Sequence, residues 1–203
     1  MASRQIPCNM NKKPIPDSRG FAKTPEVLAT FSATPHFFEL SGPGTLVRLV
    51  QFKKTTCDGL RLGNSRHDGQ FWFEEELLTR VRNQARSDLS RQRAGAKAPF
   101  TTPFGALVSN YMRHVLRDSL AVSKDWTNDF DGYVRVRLLT EDRLVALVGP
   151  VKRQPAFSKE HPQHQAVVAN NIWLEGQATQ FAIDFRFPAN RPYVRRIHGP
   201  FEF

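Results

Sequence analysis

The segment Tyr133-Val-Arg-Val-Arg-Leu-Leu139 constrains this chain most, because alternating apolar and charged residues fit a β-strand with one face buried and the other in water. Such a strand needs partners along its edges, so the chain must build a sheet. Residues 140–143 read as a turn, and Leu-Val-Ala-Leu-Val at 144–148 reads as a second strand. Two more strands are expected at 171–174 and 180–187, around the bend Glu175-Gly-Gln-Ala178. Residues 133–187 should therefore supply paired strands.

Two helices are expected between the early and late strands. Glu74, Glu75 and Glu76 bring negative charge to the first turn of a helix over residues 77–90, where it complements the helix dipole. Over residues 106–123, Leu107, Val108, Tyr111, Val115, Leu116 and Leu120 recur at the three-and-four spacing of one helical face. Upstream, the turn Ser41-Gly-Pro-Gly44 leads into a strand at 45–52. A polar, glycine-punctuated loop at 55–69 precedes the buried aromatic segment Gln70-Phe-Trp-Phe73. Residues 94–105 and 149–164, rich in proline and glycine, predict loops. Residues 1–27, with Pro14, Pro16, Gly20 and Pro25 and no apolar period, predict an irregular extension that adds little to the core. At 203 residues the chain suits one α+β domain, spanning 28–203.

A 40% hydrophobic content with 16 Phe is enough to bury a core, which excludes a disordered chain. No apolar run reaches the ~20 residues of a membrane helix, and no apolar signal region opens the chain, so no membrane partner and a cytoplasmic setting, in its own cell or a target cell, are expected. Cys8 and Cys57 are too few for a disulfide framework. With His114, His161, His164 and His198 in no ligand spacing, no metal centre is expected. Phosphate-cradling glycine motifs and the Gly-x-Ser-x-Gly elbow are absent, which removes the kinase, Rossmann and classical hydrolase readings. The net charge of +10 favours anionic partners and is concentrated in residues 1–100, with 16 Lys/Arg against 9 Asp/Glu. Residues 80–97 alone hold six Lys/Arg and one Asp. That run predicts a solvated face. The alternative function it suggests is a basic, nucleic-acid-binding, non-enzymatic subunit, although the base-stacking aromatics of single-strand binders are missing from it.

What remains is Arg48 within a strand, the segment Gly69 to Phe73, and Glu175-Gly-Gln-Ala-Thr-Gln-Phe181 at a strand entry. An arginine in a strand faces solvent, pairs with a carboxylate such as Glu39, or points at an anionic ligand. In this order the motifs resemble the ADP-ribosyltransferase-like superfamily, and more closely its NAD glycohydrolase toxins of the tuberculosis necrotizing toxin-like type, over residues 44–187. The resemblance implies a mostly antiparallel split β-sheet with flanking helices and NAD as substrate. It implies that Arg48 binds the pyrophosphate, that Trp72 or Phe73 flanks the nicotinamide, and that Gln180, with Glu175 as a second candidate, occupies the catalytic position. It also implies a toxin or effector neutralised by an acidic immunity or antitoxin protein. Two departures stand out: Glu175-Gly176 replaces the paired glycines usual before the catalytic position, and the Glu-x-Glu of protein-modifying transferases is absent.

Overall fold

The computed structural model describes residues 10–17, 20–21, 24–50, 71–96, 100–122, 130, 132–157, 159 and 161–203. In chain order these form β1 (Asn11–Pro14), α1 (Pro25–Leu28), β2 (His36–Ser41), β3 (Gly44–Val50), β4 (Phe71–Glu74) and α2 (Glu75–Gly95). There follow α3 (Phe104–Ser119), β5 (Gly132–Leu138), β6 (Leu144–Pro150), β7 (Gln154–Pro155) and α4 (His164–Ala169). The chain ends with β8 (Trp173–Leu174), β9 (Thr179–Ala182), a 3-10 stretch (Pro188–Arg196) and β10 (Ile197–Glu202). Cys8, Cys57 and the expected loop at 55–69 lie outside the described residues.

The fold is a single α+β domain around an eight-stranded antiparallel sheet in the order β1-β2-β6-β9-β4-β3-β5-β10. The alternation in β5 is realised as read: Val134, Val136 and Leu138 are fully buried, while Arg135 and Arg137 are exposed. The turn after β5 does not fold it back onto β6. Seven residues of β5 pair with β3, its other edge takes β10, and β6 lies between β2 and β9. With both edges occupied, neither strand can pair with the other. The bend after β8 is likewise no hairpin, since β8 pairs with β7 while β9 pairs with β4 and β6.

The short strand β4 joins the two halves of the sheet. Phe71 and Trp72 pair with Ala182 and Phe181 of β9, whereas Phe73 and Glu74 pair with Val47 and Leu46 of β3. Trp72, Phe181, Leu46, Val136 and Leu144 belong to one buried cluster. Phe73, Val47 and Leu49 look the other way and pack under the apolar faces of α2 and α3. A third cluster covers β2, β6 and β9 with Phe21, Val27 and Phe31 from the N-terminal region.

Three expectations change. The segment expected to be irregular and to add little to the core contributes to it through its described residues: β1 pairs with β2, Met10 and Phe21 enter the core, and α1 packs through Val27. The strand expected at 180–187 stops at Ala182, because Asn190 takes over its partner's ladder. Asn190 Oδ1 accepts from the Val145 N–H at 2.8 Å, and its Nδ2 donates to the carbonyls of Val145 at 2.8 Å and Asp184 at 3.0 Å. The loop expected at 149–164 instead supplies β7 and the start of α4, which pack with β8 around Val151, Ala156, Val167 and Leu174. Among the described residues no helix is long and apolar enough to cross a membrane.

Helices α2 and α3 are clamped by Asp88, whose carboxylate accepts from Tyr111 Oη at 2.7 Å, Gln84 Nε2 at 2.9 Å and Arg91 at 2.7 Å. The Gln84 bond, followed by that of Tyr111, holds its carboxyl below the ordinary aspartate range. Folding therefore favours the ionised form, and the contribution is present above the ordinary value and lost as pH falls through the lowered one. Asp88→Asn should lower the melting temperature at neutral pH, with the gap to wild type closing as the pH is brought down through the carboxylate range; a gap constant with pH would contradict the clamp. Asn190→Ala should cost about 2–4 kcal/mol in urea denaturation, because the Val145 N–H and carbonyl both lose their partner in a fully buried site.

Candidate functional site

A cleft opens where β4 changes partners. Pairing of β4 with β3 ends at Val47–Phe73 and pairing with β9 ends at Trp72–Phe181, and Arg48, Leu49 and Gln180, the residues just past these two endings, line the cleft. The cleft encloses about 1000 Å³, at the upper end of the roughly 300–1000 Å³ usual for ligand pockets. Its floor is Arg48, Leu49, Phe71, Trp72, Phe73 and Gln180. One wall is α1 and the turn after it, with Glu26, Ala29 and Thr30; the end of α3 adds Leu120, Ala121 and Val122. The facing wall is the β7–α4–β8 unit, including Lys152, Arg153, Lys159, His164 and Trp173.

Three of the motifs singled out in the sequence thus border one cleft, with Arg48 issuing from the face of Val134 and Phe181, and Gln180 from the face of Phe71 and Phe73. Gln180 and Arg48 sit on strands two places apart, so their backbones are separated by roughly 10 Å at ordinary strand spacing. Gln180 is 6% exposed, faces Gly149 of β6 in register, and donates from Nε2 to Thr30 Oγ1 at 3.0 Å. Arg48 is half-buried on β3, and Glu39 forms an ion pair with Arg143 at 3.3 Å. Trp72 and Phe73 contribute to the floor but are only 1% and 2% exposed. Trp72 is held edge-on against Phe185, with ring centroids 5.7 Å apart. The half-buried ring of the segment is Phe71.

Glu175 does not join the residues that line the cleft. Its side chain is half exposed and pairs with Arg153 at 3.3 Å, and its backbone N–H donates to Asp118 Oδ1 at 2.9 Å. The bend it begins is docked on the end of α3, since Gly176 and Ala178 donate to the carbonyls of Asp118 and Ser119. This docking explains the glycine: Gly176 has a φ of +63°, and a Cβ there would lie 2.8 Å from the Lys152 carbonyl oxygen.

Electrostatically the cleft is basic. Among the described residues, Arg48, Lys152, Arg153 and Lys159 line it against one carboxylate, Glu26. Arg153 lies over the Trp173 ring at 5.1 Å, and His164 Nδ1 is tied to the Phe157 carbonyl at 2.9 Å. Hydrogen bonding by Thr24 keeps the Glu26 carboxyl below the usual glutamate range, so it is ionised at neutral pH. Among the described residues no group of three His, Cys, Asp or Glu could hold a metal ion.

Glu26, Thr30, Lys152 and Trp173 escaped the sequence reading. For the first two a signal existed: Thr24-Pro25-Glu26 is a helix start, with Thr24 as N-cap accepting from the Val27 N–H and proline in the first turn. Lys152 lies beside the two-residue strand β7, too short to show a period, and Trp173 stood inside the strand expected at 171–174 with nothing to mark it as lining a cleft.

No protein-family model, curated protein or solved structure matches the chain. The site must therefore be read from its own chemistry. Gly176→Ala should destabilise the protein by about 1–2 kcal/mol, since alanine is strained at positive φ and its methyl meets Lys152; unchanged urea stability would contradict the close docking of this bend.

Proposed function

We propose that this protein cleaves NAD at the bond between nicotinamide and ribose, as an NAD glycohydrolase or ADP-ribosyltransferase of the toxin or effector kind. The observation that carries the reading is the convergence of Arg48, the Phe71 to Phe73 segment and Gln180 on one basic cleft of dinucleotide size. The separation of β3 from β9 is comparable with the reach from the anomeric carbon of a nucleotide to its pyrophosphate. Arg48 holds the pyrophosphate, where a planar guanidinium satisfies two oxygens at once. Phe71 supplies the apolar floor beside the nicotinamide.

In hydrolysis the C1′–N1 bond breaks and its electron pair passes to the ring nitrogen, discharging the pyridinium. The ribose is left with oxocarbenium character, and water attacks C1′ to give ADP-ribose, nicotinamide and one proton. Gln180 cannot serve as a base. Its part is to accept from a ribose hydroxyl and hold the sugar in the geometry that stabilises developing positive charge. Glu26 borders the same space and takes the proton of the attacking water on its way to solvent. An acidic neutralising protein would complement the +10 surface.

The second reading, a nucleic-acid-binding subunit, rests on the exposure of Arg80, Arg86, Arg91 and Arg93 along α2. It requires an affinity for DNA or RNA that falls steeply with salt. For the enzymatic reading, purified protein should release nicotinamide from NAD. Gln180→Ala should lower kcat on the order of a hundred- to a thousandfold. Arg48→Ala should raise KM by roughly ten- to a hundredfold, the loss of a charged hydrogen bond. No nicotinamide release by wild type, with or without protein acceptors, contradicts the proposal.

A further inference from the structure

Gln180 is the residue of the cleft whose orientation matters most, and a primary amide has two chemically opposite ends. Which end faces the cleft depends on what holds the other. Gln180 Nε2 lies 3.0 Å from Thr30 Oγ1, and Thr30 Oγ1 lies 2.7 Å from the Val27 carbonyl oxygen. A carbonyl can only accept, so the single hydroxyl proton of Thr30 is committed to Val27. Toward Gln180 the hydroxyl can then only accept, and the amide must present its N–H to Thr30.

Thr30 is itself held firmly. Its backbone N–H donates to the Val27 carbonyl at 3.2 Å, and its own carbonyl accepts from the Lys152 N–H at 2.8 Å. The adjoining Phe31 bridges to Val151, and the Ser32 N–H donates to the Pro150 carbonyl at 3.0 Å. The turn after α1 is in this way bonded to the end of β6, the strand that also pairs with Gln180 through Gly149. Both partners of the Thr30–Gln180 bond stand on one framework.

We propose that Thr30 is a positioning residue, whose hydroxyl, polarised in one sense by Val27, locks the Gln180 amide with its carbonyl free to accept from the substrate ribose; this rests on the NAD-cleaving reading above. The amide alone would exchange its two ends by a half-turn about χ3, and half of those orientations would offer the ribose hydroxyl a second donor. Thr30 removes that half before substrate arrives, which is preorganisation and not binding.

The test compares wild type, Thr30→Ser and Thr30→Val in nicotinamide release from NAD, with melting temperatures recorded alongside. Thr30→Val should lower kcat by roughly ten- to a hundredfold with KM within about twofold, while Thr30→Ser, which keeps the hydroxyl, should stay within about threefold of wild type in both. Thr30→Ala makes the same deletion should the valine variant not fold. A full kcat in the hydroxyl-free variants overturns the proposal, and so does equal loss in Thr30→Ser and Thr30→Val. A purely structural role predicts a loss that follows melting temperature and spares neither parameter. Side-chain amide exchange of Gln180, followed by NMR, separates the two levels of argument: protection in wild type and Thr30→Ser that disappears in Thr30→Val supports the lock even in a protein that leaves NAD intact, and absence of protection in wild type overturns it.

Discussion

The change of partner within β4 is the constraint on which the rest of the molecule depends. Four residues, Phe71 to Glu74, hydrogen-bond in succession to β9 and to β3, so one short strand joins two half-sheets and leaves a gap where the pairings hand over. The side chains that make the join possible are the large ones. Trp72 and Phe73 point to opposite faces, fill two different buried clusters, and hold the strand in a position that four residues of hydrogen bonding could not secure. The cleft results from that junction, which explains why it collects residues so distant in sequence.

The same fact bears on how Trp72 and Phe73 are understood. Their near-complete burial makes them the floor's support, and the rings available to a ligand are Phe71 on the floor and Trp173 on the facing wall. A cleft with aromatic rings and Arg48 in its floor and Lys152, Arg153 and Lys159 on one wall suits a ligand with flat rings and phosphates. Glu175 instead anchors the bend next to Arg153, and Gly176 lets that bend lie against Lys152, so the loop acts as a brace for the cleft wall.

The alternation of β5, the apolar and β-branched runs of β3 and β6, the acidic first turn of α2 and the three-and-four spacing of α3 were all plain in the sequence. Pairing was not legible. The turn at 140–143 looks like a hairpin in sequence, yet it connects strands from different half-sheets, since partner choice depends on which edges are already filled. The two- to four-residue elements β1, α1 and β7 were missed for the same reason, since their stability comes from contacts with chain segments far away, while β8 is a shortened form of the strand expected at 171–174. The end of β9 was unreadable because Asn190, a polar residue in a 3-10 stretch, substitutes for a strand partner. Of the site, Arg48 and Gln180 could be found from residue type and order; Thr30 and Glu26 could not be connected to them without the fold.

The central claim is that one cleft at the β3–β4–β9 junction receives NAD. The most direct measurement is an NMR titration of the protein with an NAD analogue whose nicotinamide-ribose ring oxygen is replaced by methylene, which keeps the shape of the dinucleotide and resists cleavage. Saturable shifts centred on the backbone amides of Thr30, Arg48, Phe71, Lys152 and Gln180 are predicted. No shifts at millimolar analogue, or shifts confined to the exposed arginine face of α2, would contradict the account.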